Sequence, residues 1–202
     1  ADREALLAHA KDTPEVVLPL FQWFMTDRTT LPSIYAIYES RRQEPRLADW
    51  AKEMKQQLML SGAYFRDELR GVAAQAADKE YWVAHEEELT ALAQWDGEHA
   101  EPLLRKLAER DASRTQAVAL ALLYEGNVRR GRQQEAATLR EALKRIAEDR
   151  AALGRARNDA IEVLLRTPWD GRRQWHAALL DDPTLRDLVR SEEHTSELQS
   201  RF

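Results

Sequence analysis

Arg114–Glu125 reads RTQAVALALLYE, and beyond Gln116 the stretch has no polar face. A helix that is apolar on nearly every side must be covered on both flanks. The flanking residues supply the boundaries such a helix needs. Ser113 with Gln116 fits a capping box, in which side chains satisfy the orphan N–H groups of a helix start. Gly126-Asn127 supplies a C-terminal stop. Upstream, Glu101–Arg110 (EPLLRKLAER) sets Leu103, Leu104, Leu107 and Ala108 on one helical stripe. Together these segments predict an amphipathic outer helix followed by a buried inner one.

The same unit recurs downstream. Gln134–Asp149 places Leu139, Leu143, Ile146 and Ala147 on one stripe, and a connector runs through Gly154. Arg155–Arg166 (RARNDAIEVLLR) is the second inner helix, with Ala160, Ile161, Leu164 and Leu165 apolar. A third unit opens at Trp169-Asp170-Gly171, its first helix lined by Trp175, Leu179 and Leu180. Asp182-Pro183 is the next expected start, with Asp as N-cap and Pro at the first position. Ala117 and Ala160 correspond at a spacing of 43, and the WDG turns at Trp95 and Trp169 stand 74 apart, or two units of 37. Helix pairs at such periods predict an all-α solenoid whose units stack to complete each other's core.

LLRKLAERDASRTQAVALALL, RARNDAIEVLLRTPWDGRRQW and LLDDPTLRDLVR resemble HEAT repeats, most closely those of bacterial proteins. The shared elements are an amphipathic first helix, an Asp-containing turn, an Arg early in the second helix, and small residues inside it. The resemblance covers roughly residues 95–190, and the longer connector Arg150–Gly154 departs from the pattern. It implies a right-handed superhelix of antiparallel helix pairs whose second helices form a concave face. It also implies a scaffold that binds a protein or peptide and belongs to a larger array.

Residues 1–94 read as an irregular helical region, either divergent repeats or a cap. Thr13-Pro14 predicts a helix start continuing to about Thr26, and Asp27–Leu31 a loop. Pro32 opens SIYAIYESRRQ, and Arg46–Leu60 spaces Leu47, Trp50, Met54 and Leu58 helically. Ser61-Gly62 predicts a break before Ala63–Ala77, and Lys79–Trp95 a further helix.

The end of the chain is different. Arg190–Ser200 (RSEEHTSELQS) matches the in-frame translation of a short-read sequencing adapter, and Arg201 fits the adapter's next base. Residues 191–202, His194 included, are therefore expected to be non-native, and the chain to be an internal fragment of a longer protein.

Composition narrows the chemistry. The chain has no cysteine among its 202 residues, which removes disulfides and thiolate metal sites. The longest apolar run, VVLPLFQWFM, is broken by Pro19 and is too short to span a bilayer. No phosphate-cradling Gly-rich loop and no G-x-S-x-G motif is present, so no catalytic residue and no cofactor is assigned. HEEEL at His85–Leu89 begins like a zinc-protease helix, but Leu89 stands where the second His ligand belongs. Trp95 and Trp169 are expected to pack across turns between units.

Residues 1–100 carry 11 basic and 18 acidic side chains, whereas residues 101–190 carry 18 and 14. The candidate interaction surface follows this asymmetry: Arg129, Arg130 and Arg132, joined by Arg155, Arg157, Arg172 and Arg173. Such a stripe would suit nucleic-acid phosphates, although Glu135, Glu141, Asp159 and Asp170 interleave with it. The leading expectation is a protein or peptide partner. Nucleic acid, or service as an accessory segment of an enzyme, stands behind it.

Overall fold

The computed structural model describes residues 3–78, 85–110, 114–149, 151–152 and 154–181, which are helices joined by turns with no strand among them. Arg190, the tail, the Asp182-Pro183 start and the Ser113 cap all lie outside the described residues. The α-helices in order are α1 (Arg3–Ala10), α2 (Phe21–Met25), α3 (Leu31–Arg41), α4 (Ala48–Leu60), α5 (Arg66–Asp78) and α6 (Glu86–Trp95), followed by α7 (Gly97–Ala108), α8 (Arg114–Arg129), α9 (Gln133–Glu148), α10 (Gly154–Arg166) and α11 (Arg172–Asp181). None of the described helices is long and apolar enough to cross a membrane. The chain divides into two compact units, one holding α1–α4, the start of α5 and α6, the other holding α7–α11.

In the first unit, proline placement keeps the helices short. The helix expected from Thr13 to Thr26 is instead a 3-10 turn at Pro14–Val17 followed by α2, and Thr13 makes no side-chain cap. Pro19 lies between them and can neither donate a backbone hydrogen bond nor fit a helix interior. The expected loop at Asp27–Leu31 is a 3-10 turn, Arg28–Thr30, capped by Asp27, whose side chain accepts from the Thr29 N–H. Pro45–Leu47 forms a third such turn before α4.

Apolar residues from all of these elements meet in one core, including Val17, Phe24, Ile34, Met54 and Leu58. Aromatic rings finish it: Tyr35 and Tyr64 stack at 4.1 Å, and Phe65 meets Tyr38 edge-on at 6.0 Å. Phe65 has a φ of +56°, a left-handed conformation that costs a non-Gly residue roughly 1–2 kcal/mol. Its ring contacts with Tyr35 and Tyr38 oppose that cost.

The break expected at Ser61-Gly62 is present. Gly62 ends α4 at φ +69°, and its N–H returns to the Met59 carbonyl. Trp95 lies so close over this turn that a Cβ on Gly62 would stand 2.2 Å from the indole Cγ. The indole N–H donates to the Leu60 carbonyl at 3.1 Å, and the Arg28 guanidinium covers the ring at 4.0 Å.

In the second unit the helices are longer, and α8 is central. It packs on α7, α9 and α10, and its buried residues include Thr115, Ala117, Ala119–Tyr124, Gly126 and Asn127. Burial on this scale answers the missing polar face. Gln116 donates to the Ala108 carbonyl at the end of α7. Gly126-Asn127 does not stop the helix, which runs to Arg129. The stop is Gly131, at φ +70°, with its N–H on the Val128 carbonyl and the Arg132 N–H on the Asn127 carbonyl. This pair of bonds is a Schellman cap. Gly126 stays helical because it is buried, and Asn127 spends its amide on the Leu123 carbonyl at 2.9 Å.

Two ion pairs fix the direction of α10 against α8. Arg114 meets Asp159 at 3.1 Å near the starts of both helices, and Arg166 meets Glu125 at 2.7 Å near their ends. The two helices therefore run parallel, with partners 45 and 41 residues apart. Ala117 and Ala160 are both fully buried.

The two WDG segments do not share a conformation. Gly171 has φ +86°, whereas Gly97 has no positive φ and opens α7. A Cβ at Gly97 would meet only the tip of the flexible Arg130 side chain, at 2.6 Å, so neither a turn nor a fixed neighbour demands glycine there.

Candidate functional site

The expected arginine stripe is divided by the topology. Arg129, Arg130 and Arg132 cluster where α8 turns into α9. Arg155 and Arg157 stand in the first turn of α10, where the Arg157 Nε donates to the Ala147 carbonyl near the end of α9. The two groups are therefore separated by about 24 Å, the length of the 16-residue α9 at 1.5 Å per residue. Arg172 donates to the Leu165 carbonyl at the other end of α10, and Arg155 and Arg173 are exposed.

Arg130 and Arg132 are engaged by a residue that spacing did not single out. Glu101 on α7 receives Arg105 at 2.7 Å, Arg132 at 3.0 Å and Arg130 at 3.2 Å, and Arg105 also reaches Glu135. The hydrogen bond from Arg105, ahead of the charges of the other two arginines, holds the Glu101 carboxyl below the ordinary carboxylate range against the opposing effect of burial. The cluster ties α7 to the α8–α9 turn.

His85 opens α6, and Leu89 is buried in the first unit's core. No three His, Asp or Glu side chains among the described residues converge as a metal site.

A groove of 390 Å³ in the second unit lies between α8, α9 and the Pro168–Asp170 loop. Val128, Ala136 and Trp169 give it apolar walls, while Gln133, Arg140 and Asp170 bring polar groups to it. Apolar walls with a few convergent polar groups are the usual make-up of a ligand pocket.

Trp169 is held rigidly in place. Its N–H donates to the Leu164 carbonyl at 3.0 Å, its ring tilts against Trp175 at 6.0 Å, and Arg140 lies over it at 4.9 Å. Trp175 in turn donates to Glu148 at 2.8 Å. The expected packing of Trp169 at a turn is thus present, and the same ring walls a groove.

At the base of the groove lies Tyr124, only 1% exposed. Its hydroxyl makes no hydrogen bond to any described residue. Burial raises its pKa, and the charges of Arg140 and Arg172 act in the opposite sense. Sequence reading passed over Tyr124 because it sits in an apolar run, where an aromatic ring reads as core.

The first unit has a larger hollow, 650 Å³ between α1 and α3. Its charges are mutually mixed (Glu4, Lys11, Asp12 and Arg41), and Arg41 is committed to Glu44 and to the Lys11 carbonyl. The α8–α9 groove is therefore the stronger candidate. Scans against protein-family models, curated proteins and solved structures found no match to this chain.

Proposed function

We propose that this chain is a non-catalytic segment of a HEAT-like α-solenoid that binds a protein or peptide. The observation that carries the reading is the parallel packing of α8 on α10, clamped at both ends by ion pairs between residues 45 and 41 apart. That register brackets the spacing of 43 read from Ala117 and Ala160. An inner helix lying beside its own successor is the arrangement stacked repeats require. Repeats of this kind display turn residues and grooves at their edges, and the Trp169 groove lies at such an edge. The α9 helix between the inner pair has its own polar face, as an outer helix should.

Selection of a random peptide library displayed on phage against the full chain tests the reading. Peptides that bind in solution at micromolar Kd and displace one another support it, and a selection that enriches none overturns it. A fluorescent single-stranded oligonucleotide serves as the counter-probe. Tight binding that falls steeply with added salt, and is lost when Arg129, Arg130 and Arg132 are replaced, would put nucleic acid in place of a peptide. The division of the arginines between two ends, and the hold of Glu101 on two of them, argues against that outcome.

A further inference from the structure

We propose that the α8–α9 groove recognises a carboxylate, the side chain of Asp or Glu in an acidic peptide, through the Tyr124 hydroxyl and the Arg140 guanidinium. The inference rests on the peptide-binding reading and names the chemistry that one site would select.

Three observations support it. First, the Tyr124 hydroxyl is an O–H donor that makes no hydrogen bond to any described residue, on a residue that is only 1% exposed. It lines an open groove, so an incoming acceptor can satisfy it. Second, Arg140 lies on the wall over the Trp169 ring at 4.9 Å, with its Nε on Glu141 at 3.3 Å. A guanidinium has five N–H donors, so others remain for a ligand.

Third, the walls suit a side chain that carries its carboxylate on a short apolar stem. Val128, Ala136 and Trp169 provide an apolar bed for the methylene stem and for a neighbouring aliphatic residue.

The test is fluorescence anisotropy of the full chain with a fluorescein-labelled peptide of four Leu-Glu-Ala repeats, set against its Leu-Gln-Ala counterpart. The glutamate peptide is expected to bind about tenfold more tightly, the usual weight of a hydrogen bond to a charged group. Tyr124→Phe and Arg140→Gln are each expected to weaken it about tenfold while leaving the circular dichroism melt in place. Arg155→Gln, at the far end of α10, is expected to bind as the unaltered chain does.

Equal affinity for the two peptides, or equal effects of all three substitutions, would overturn the carboxylate assignment. So would displacement of the glutamate peptide by millimolar inorganic phosphate, which would make the groove a phosphate site. If library peptides bind but none is sensitive to Tyr124→Phe or Arg140→Gln, this inference fails while the peptide-binding reading stands. If no library peptide binds at all, the broader reading fails first.

Discussion

The two units solve the same problem, covering short helices with few apolar residues, in opposite ways. The first unit has proline at positions 14, 19, 32 and 45, and its longest helices span 13 residues. Large rings fill what the short helices leave open, and single turns such as Gly62 under Trp95 carry much of the geometry. The second unit has helices of up to 16 residues, with alanine where they touch and ion pairs at their ends. Small side chains let helix axes approach closely, so the register of α8 on α10 replaces ring packing as the source of specificity. Stability in the first unit is thus concentrated at a few positions, whereas in the second it is spread along interfaces.

That contrast is open to attack at single residues. Gly62→Ala should have the largest effect, about 4 kcal/mol, because it combines left-handed strain with a methyl driven into the Trp95 ring. Urea unfolding followed by segment-resolved hydrogen exchange should show the loss in α1–α4 and α6. Comparable loss of protection in α8–α10 would mean that the units do not unfold separately.

Glu101→Gln comes next, at about 1–2 kcal/mol, since three guanidinium groups lose their shared carboxylate. The pH dependence follows from the lowered pKa of Glu101. Its contribution is complete above the unfolded-state value of about 4.3 and is lost as pH falls through the lower folded value. Melting curves from pH 6 down to pH 3 should therefore converge for the parent and the Gln variant; curves that stay parallel would refute the assigned role.

A double-mutant cycle on Arg114 and Asp159 should return about 0.5–1 kcal/mol, modest because both side chains remain partly exposed. A coupling indistinguishable from zero would remove this ion pair as a determinant of the α8–α10 register. Tyr124→Phe should change stability least, by under about 0.5 kcal/mol, because its hydroxyl has no partner to lose. A clear drop in Tm would show that the hydroxyl is structurally engaged.

The second unit was largely legible in the sequence because its helices are long and periodic. The bounds of α9 and α10 fall within a residue of those read from Gln134–Asp149 and Arg155–Arg166. Gly126-Asn127 misled because a glycine marks a helix end only where the chain must turn left-handed, and burial kept this one helical. The repeated WDG misled for a related reason: Gly171 turns left-handed at φ +86°, whereas Gly97 opens a helix without a positive φ. In the first unit, prolines announced interruptions, but the 3-10 turns between them have too short a period to read.

The candidate site was harder to see. Arginine spacing suggested a surface, yet which arginines are engaged depends on Glu101, which is brought to them from another helix. Tyr124 carries no signal at all until α9 and the Pro168–Asp170 loop are seen to border the groove that it lines.

The closure of Trp95 over Gly62 has a consequence for descent. The indole fills the space where a side chain at position 62 would begin, and the left-handed φ there already disfavours one. Neither position can drift alone: a gene that enlarges residue 62 must first give up the tryptophan, and one that loses the tryptophan leaves an opening on the α4–α5 turn. Across divergent copies of this gene, glycine and tryptophan should be inherited as a pair or replaced together, even where the surrounding sequence no longer aligns.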